Sequence, residues 1–182
     1  MYVFMRHAEK QHDNKQVGVK YKFDSDLTEK GVQDSINKGL ELHQRYPIVT
    51  KIITSPYHRA RRTARLIASA WSQPPEIVVN PNLSEYLGNQ KGNKVQHLHK
   101  ETQKQHPPLN EDVQMFKKRL GRYHANLPVL EQDEVVVVIT HGFCMFVLNE
   151  LEGGGNETAF DSLVELHISP GPKWNPPPGR RY

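Results

Sequence analysis

The sequence has one cysteine and no long hydrophobic run, and each absence excludes a class of protein. The single cysteine, Cys144, leaves no internal disulfide and no cysteine-based zinc site, and it is typical of a reducing compartment. No stretch approaches the roughly 20 apolar residues that a membrane helix needs. Only residues 2–5 lie between the first residue and the charged pair Arg6-His7, so we expect no signal peptide. We therefore expect a cytoplasmic protein without a membrane partner.

The chain also has no large excess of positive or negative charge. The chain carries 24 Lys and Arg against 20 Asp and Glu, a net charge of +4 that favours anionic ligands in general. It lacks the concentrated basic stripe of a nucleic-acid-binding protein, so we do not expect nucleic acid as a partner. The length of 182 residues fits one domain, and a chain of that size buries about 70% of the surface that it exposes when unfolded. The sequence does not indicate an oligomeric state.

Short β-prone runs alternate with helical patterns along the chain. The β-branched run at residues 135–139 is the strongest, and it fits a strand that is buried on both faces. Because strands that alternate with helices form parallel sheets, we predict an α/β fold: a single domain with a mostly parallel central sheet and helices on both faces. The predicted strands cover residues 2–5, 51–54, 76–80, 134–140 and 163–168.

Four helices are predicted from apolar residues that recur every three or four positions. Thr28 is expected to cap the first helix, and prolines follow the ends of the first three. Residues 143–151 form a short fourth helix. The apolar stripes of the first three helices are Val32, Ile36 and Leu40; Ala60, Ala64, Ile67 and Trp71; and Val113, Phe116, Leu120, Tyr123 and Leu127.

Two stretches lack such patterns. Residues 84–110 are polar and rich in Lys, Gln and His, and a loop of that length inside a compact domain usually has a function. Residues 170–182 hold five prolines and the pair Arg180-Arg181, and they cannot build a core. We therefore predict a folded domain over residues 1–169, followed by a proline-rich C-terminal tail over residues 170–182.

The residues that follow the predicted strands include side chains that bind anions and transfer protons. In a parallel α/β sheet, ligands bind beyond the carboxyl ends of the strands. A histidine or an arginine at one strand end means little, but several strand ends agree here. We expect two histidines, two arginines and a glutamate to meet on one rim, namely Arg6, His7, Arg59, Glu85 and His141.

A set of short motifs occurs in the order of a known family. The motifs are Arg6-His7-Ala8-Glu9, Asp24-x-x-Leu27-Thr28-x-x-Gly31, Ser55-Pro56-x-x-Arg59-Ala60-x-x-Thr63-Ala64, Leu83-x-Glu85 and His141-Gly142. Over residues 1–151 the sequence resembles the histidine phosphatase superfamily, also called phosphoglycerate-mutase-like. Ala8 stands where glycine is commoner, Phe143 where a second small residue is frequent, and Asp26 where proline is common. None of these departures removes a chemical group from the site.

The resemblance implies a role for each residue of the rim. His7 would be the nucleophile that forms a phosphohistidine, with its second ring nitrogen held as N–H by a backbone carbonyl. Arg6 and Arg59 would be substrate-binding residues, since their planar guanidinium groups match phosphate oxygens. His141 would be protonated beside the phosphate and would stabilise charge on the transferring group.

Glu85 is the preferred general acid, which would protonate the leaving oxygen and then activate water. The alternative interpretation is a salt bridge from Glu85 to a loop lysine such as Lys91 or Lys94. Glu9 is the next candidate for the acid, although it follows the first motif directly and is better suited to orienting other residues. Asp24 is the third candidate.

No metal or other cofactor is expected. His97, His99 and His106 lie in the polar segment without acidic or cysteine partners at ligand spacing, so solvated loop histidines are the favoured interpretation. Cys144 is interpreted as a small buried residue of the helix behind the site, and not as a nucleophile.

Three functions fit these residues. A metal-independent phosphomonoester hydrolase with a phosphohistidine intermediate at His7 leads. A phosphoglycerate mutase is the second, but it needs a closed, dry pocket, and residues 84–110 contain no obvious apolar lid. The third is a non-catalytic module that binds a phospho-ligand or a protein, against which the intact set of five residues argues. We expect a small phosphorylated substrate or a phosphoprotein, and the sequence does not identify which.

Overall fold

The described part of the chain consists of five strands, five α-helices and one turn of 3₁₀-helix at Pro81–Leu83. The computed structural model describes residues 1–11, 23–88, 98–106, 111–154 and 161–168. No helix within these ranges is both long enough and apolar enough to cross a membrane. In chain order the elements are β1 (Tyr2–Arg6), α1 (Glu29–Arg45), β2 (Lys51–Thr54), α2 (His58–Ala68), β3 (Glu76–Val79), α3 (Lys100–Gln105), α4 (Val113–Ala125), β4 (Val136–Thr140), α5 (Gly142–Leu151) and β5 (Glu165–Ile168).

The strands form one sheet in the order β3-β2-β4-β1-β5. All neighbouring pairs are parallel except β1 and β5, which are antiparallel at one edge. The register sets Arg6 of β1 beside Thr140 of β4, and Thr54 of β2 beside Ile139 of β4. The carboxyl ends of β1, β2 and β4 therefore lie side by side, and the predicted mostly parallel α/β sheet is confirmed.

Helices cover both faces of the sheet. Alternate residues of a strand point to opposite faces, and β1 shows this clearly. Val3 and Met5 join the core that is formed with α1 and α2, whereas Tyr2 and Phe4 join the core beneath α5. Helix α1 packs on α2, and α4 packs on α5. The strand β4 is buried along its whole length, as expected for a strand covered on both faces.

Thr28 caps α1 as predicted, but the predicted apolar stripe is only partly the buried face of the helix. The Thr28 side chain accepts a hydrogen bond from the Gly31 N–H at 2.9 Å. The buried residues are Gly31, Ser35, Gly39 and Leu42, and the small ones let the backbone of α1 approach its neighbours closely. Of the predicted stripe of Val32, Ile36 and Leu40, Val32 packs against the core, whereas Leu40 is 50% exposed.

Three further differences concern helix ends and the polar segment. Helix α2 ends at Ala68, so the buried Trp71 lies beyond it, and α4 ends at Ala125, before Leu127. The polar segment 84–110 contains the short helix α3, which the sequence analysis did not predict. The predicted tail at residues 170–182 lies outside the described residues.

Two glycines provide a matched test of the packing. A β-carbon at Gly39 in α1 would lie 2.6 Å from the carbonyl oxygen of Ile67, whereas one at Gly121 in α4 would have no heavy atom within 4 Å. We expect Gly39→Ala to lower the free energy of unfolding by about 1–3 kcal/mol through overpacking. Gly121→Ala should raise it by up to about 1 kcal/mol because alanine favours the helix. Urea denaturation of the wild type and both variants measures the free energy of unfolding. An equal change in this free energy for Gly39→Ala and Gly121→Ala would contradict the packing of α1 on α2.

Candidate active site

The residues that directly follow β1, β2 and β4 form a buried cluster at one edge of the sheet. The His7 N–H donates to the Thr140 carbonyl at 2.9 Å, and the Ser55 N–H donates to the Ile139 carbonyl at the same distance. These bonds extend the strand pairing past the last residues of the strands. As a result, the buried rings of His7 and His141 lie with their centroids 5.2 Å apart.

Arg59, in the first turn of α2, lies at the centre of the cluster and is 3% exposed. Its Nε donates to Nε2 of His7 at 3.0 Å, and its Nη2 donates to Nδ1 of His141 at 3.2 Å. The same Nη2 lies 3.8 Å from Oε2 of Glu85. One guanidinium group thus contacts three of the four other residues expected on the rim.

The two contacts of the His7 ring define its tautomer. Nδ1 lies 2.7 Å from the Ala8 carbonyl oxygen, and Nε2 accepts from Arg59. A carbonyl oxygen only accepts and a guanidinium only donates, so the proton is on Nδ1 and the lone pair is on Nε2. Burial lowers the pKa of His7 well below its ordinary value, and the charges of Arg59 and Arg6 lower it further. The backbone contact expected from the sequence is confirmed, and the role of His7 as a nucleophile stays a prediction.

His141 has the opposite tautomer. Its Nδ1 accepts from Arg59, so its Nε2 carries the proton and donates to the Ser55 hydroxyl oxygen at 2.8 Å. Burial, together with the charge of Arg59, lowers the pKa of His141 well below its ordinary value. The ring is therefore neutral in the free protein, and the protonated form expected from the sequence requires a bound anion. No role was predicted for Ser55, although its position directly after β2 places it at the same edge of the sheet.

Glu85 follows the 3₁₀ turn and points towards His141. Its Oε2 lies 3.4 Å from Nδ1 of His141, and 25% of its side-chain surface is exposed. Burial raises the pKa of Glu85, an effect that the charge of Arg59 opposes. The alternative salt-bridge partners, Lys91 and Lys94, lie outside the described residues, so that interpretation is not tested.

The other two candidate acids support the architecture around the site. Asp24 is completely buried and accepts from the His58 N–H at 2.7 Å and from the Thr102 hydroxyl at 2.6 Å. It thereby joins the start of α2 to α3. Glu9 accepts from the Thr28 hydroxyl at 2.8 Å, at the cap of α1. Both carboxylates therefore hold helices in place, and within the described residues neither forms a hydrogen bond or an ion pair with His7 or His141.

Two histidines of the polar segment contact other side chains. The His99 ring stacks on His58 with the centroids 4.5 Å apart, and Nε2 of His106 lies 3.0 Å from the Tyr57 hydroxyl. Both residues are partly exposed, so these rings are partly solvated and partly packed, and His97 lies outside the described residues. Within the described ranges, no group of three or more His, Cys, Asp or Glu residues is arranged to hold a metal ion.

Arg6 and Cys144 complete the surroundings of the site. A β-carbon on Gly142 would lie 3.5 Å from Nε of Arg6, so the arginine side chain packs against the residue that follows His141. Cys144 is fully buried in α5, and burial raises the pKa of its thiol to about 12. A protonated buried thiol is a poor nucleophile, in agreement with the structural role predicted for Cys144.

The mostly parallel five-stranded sheet with its helices matches the fold of solved phosphoglycerate-mutase-like structures. The family model of the histidine phosphatase superfamily (branch 1) matches residues 2–164, nearly the whole chain. The chain therefore belongs to the histidine phosphatase superfamily, and the resemblance inferred from the motifs is confirmed. A comparison with curated proteins found no significant match.

Solved structures with the same fold include two phosphatases and one candidate phosphatase. A mycobacterial glucosyl-3-phosphoglycerate phosphatase in complex with VO3 has a TM-score of 0.63 at 18% identity, covering 90% of this chain and 88% of its own. The protein histidine phosphatase SixA in complex with tungstate has a TM-score of 0.58 at 17% identity, and the match covers 92% of this chain and 88% of SixA. A candidate alpha-ribazole-5'-P phosphatase of Escherichia coli has a TM-score of 0.61 at 22% identity, and the match covers 86% of this chain and 82% of that one. At these identities the likeness shows the fold.

We predict that both buried histidines stay neutral well into the acidic range, with opposite tautomers. A lowered pKa means that the neutral ring persists to a lower pH than free histidine does. Nitrogen-15 NMR of the rings, assigned with His7→Gln and His141→Gln, should show Nδ1–H for His7 and Nε2–H for His141. Free histidine in the same buffer is the control. Titration of either ring together with free histidine would contradict the site geometry.

Proposed function

We propose that the protein is a phosphomonoester hydrolase that works through a phosphohistidine at His7 and needs no metal ion. The observation that carries this proposal is the tautomer of His7, whose Nδ1 donates to the Ala8 carbonyl and whose lone pair is on Nε2. A buried, neutral imidazole with its lone pair directed into the site is the nucleophile that phosphoryl transfer to histidine needs. Membership in the histidine phosphatase superfamily supports the same function.

Arg6 and Arg59 would neutralise the phosphate dianion. Planar guanidinium groups match phosphate oxygens with two parallel hydrogen bonds. The Nε and Nη2 groups of Arg59 donate to two imidazole nitrogens in the free site, and phosphate oxygens would take over these donors. Two fixed cations would then supply the charge stabilisation that a metal ion supplies in metal-dependent phosphatases.

The proposed reaction has two steps. First, Nε2 of His7 forms a bond to phosphorus, the ester P–O bond breaks, and the Glu85 carboxyl gives its proton to the leaving oxygen. The raised pKa of Glu85 supports this role, because a general acid must carry a proton before it can donate one. Second, the Glu85 carboxylate takes a proton from water, the water oxygen attacks phosphorus, and the N–P bond breaks to release phosphate.

His141 would become cationic when the phosphate binds. Its pKa is low in the free site because the ring is buried beside Arg59, and a bound dianion would raise that pKa again. The imidazolium would then stabilise the charge that spreads over the transferring phosphoryl group. Its Nε2–H bond to Ser55 keeps the ring orientation fixed before and after the proton arrives.

We prefer a hydrolase to a mutase, which would return the phosphoryl group to its product, and to a non-catalytic module that only binds a ligand. One quarter of the Glu85 side-chain surface is exposed, which supports access of water to this side of the site. A phosphoglycerate mutase must instead exclude water from its phosphoenzyme.

We also propose that the catalytic domain covers residues 1–169 and that the protein is cytoplasmic. The substrate would be a small phosphorylated compound or a phosphoprotein, and similar structures include one phosphatase of each kind.

We predict that His7→Ala abolishes turnover, because it removes the atom that bonds to phosphorus. Brief exposure of the wild type to a ³²P-labelled monoester should leave label on the protein that is lost in acid and retained in base, as phosphohistidine is. Label should appear equally in EDTA. The exposed His167 provides the matched control, His167→Ala, which should label normally.

Full activity of His7→Ala would refute the proposed mechanism. Loss of labelling in EDTA, restored by zinc or magnesium, would refute its independence of metal. Phosphorus NMR with 3-phosphoglycerate and a 2,3-bisphosphoglycerate primer tests the mutase alternative. Conversion to 2-phosphoglycerate faster than the release of free phosphate would establish a mutase instead.

Glu85→Gln should separate substrates by their leaving groups. An alkoxide needs a proton to leave and an aryl oxide does not, so kcat/KM for alkyl phosphates should fall by about 100-fold or more. For aryl phosphates the loss should be below about 10-fold, since kcat/KM reports the formation of the phosphoenzyme. Glu9→Gln is the control and should show no such divergence. If only Glu9→Gln shows it, the acid is Glu9.

A further inference from the structure

Arg119, in α4, contacts the backbone that leads into Glu85. Its Nη1 donates to the Asn82 carbonyl, and its Nη2 donates to the Ser84 carbonyl at 3.2 Å. Ser84 directly precedes Glu85, and Asn82 lies in the 3₁₀ turn before it. The guanidinium therefore bridges the two carbonyl groups that fix the direction in which the chain enters Glu85.

Glu111 holds Arg119 in this position. The carboxylate accepts from Nε and from Nη2 of Arg119, at 2.7 Å each, which is a bidentate pair. The Arg119 and Glu111 side chains are only 10% and 12% exposed. The guanidinium also lies 4.9 Å from the ring centroid of the buried Phe116. A bidentate, mostly buried pair has a specific geometry, so Arg119 is a fixed donor and not a mobile surface charge.

Other contacts also hold this turn. The Thr140 hydroxyl donates to the Leu83 carbonyl at 3.0 Å, and Sγ of Cys144 lies 3.5 Å from the Ser84 carbonyl oxygen. Thr140 is the residue before His141, so this contact relates the turn to the histidine pair. The turn before Glu85 is thus held by β4 and α5 as well as by Arg119.

We propose that Arg119, oriented by Glu111, is a positioning residue for the general acid Glu85. This proposal rests on the proposed function, in which Glu85 gives a proton to the leaving oxygen. Arg119 would act by keeping Oε2 of Glu85 near Nδ1 of His141, which is 3.4 Å away. A displacement of about 1 Å at a catalytic group reduces a rate by about 100-fold. The reduction should therefore be confined to substrates whose leaving group needs the proton.

The test measures kcat/KM of Arg119→Met with an alkyl and an aryl phosphate. We expect a loss of about 10- to 100-fold for the alkyl ester and less than about 3-fold for the aryl ester. Arg119→Lys keeps the charge but lacks the planar fork, so it should lie between the wild type and Arg119→Met. Glu111→Gln, which removes only the charge that orients Arg119, should change the ratio of the two substrates in the same direction.

The exposed Arg122 of the same helix provides the control, since within the described residues its side chain makes no hydrogen bond to the turn, and Arg122→Met should leave the ratio unchanged. Double substitution of Arg119→Met with Glu85→Gln should add no further discrimination between the esters. Equal losses for both esters, or an unchanged ratio in both Arg119→Met and Glu111→Gln, would overturn the proposal. If Arg119→Met does not fold, the Glu111→Gln ratio decides. A wild type that forms no phosphohistidine would instead refute the proposed function.

Discussion

The buried guanidinium of Arg59 is the constraint on which the rest of the site depends. A cation that is 3% exposed is stable only when its donors are satisfied. Two of them donate to His7 and His141, and the carboxylates of Asp24 and Glu85 each lie 3.8 Å from the guanidinium. The two imidazole rings must present lone pairs to Arg59, which fixes both tautomers. The tautomers of the two histidines thus have one common cause, although burial contributes most to keeping both rings neutral.

The rim of the sheet could be predicted from the sequence because parallel strands bring their carboxyl ends together. Local pattern identified β1, β2 and β4, and topology then implied that the residues after each strand meet. The register supports this directly, since Arg6 lies beside Thr140 and the next residues, His7 and His141, form the ring pair. The candidate residues could therefore be placed on one rim from the sequence, whereas their side-chain contacts could not be predicted.

The features that the sequence did not reveal depend on contacts between distant segments. The buried face of α1 contains Gly31 and Gly39, because its backbone packs closely on neighbouring backbone, and apolar periodicity does not record such packing. Helix α3 has six residues and no periodicity, and the buried Asp24 helps to hold it through Thr102. Arg119 belongs to none of the sequence motifs, and only its hydrogen bonds to backbone carbonyl groups relate it to Glu85.

Burial shifts the pKa values of His7 and Glu85 in opposite directions, and each shift suits the role of that residue in the proposed mechanism. It favours the neutral form of His7, which is the nucleophile, and the neutral form of Glu85, which is the acid. The charge of Arg59 reinforces the first shift and opposes the second, so its distance to each group matters. Nε of Arg59 lies 3.0 Å from His7, whereas Nη2 lies 3.8 Å from Glu85. A closer Glu85 would be held more firmly as a carboxylate, because the charge of Arg59 lowers its pKa. Under the proposed mechanism the separation between this acid and the central cation therefore matters, and we propose that the backbone contacted by Arg119 helps to set it.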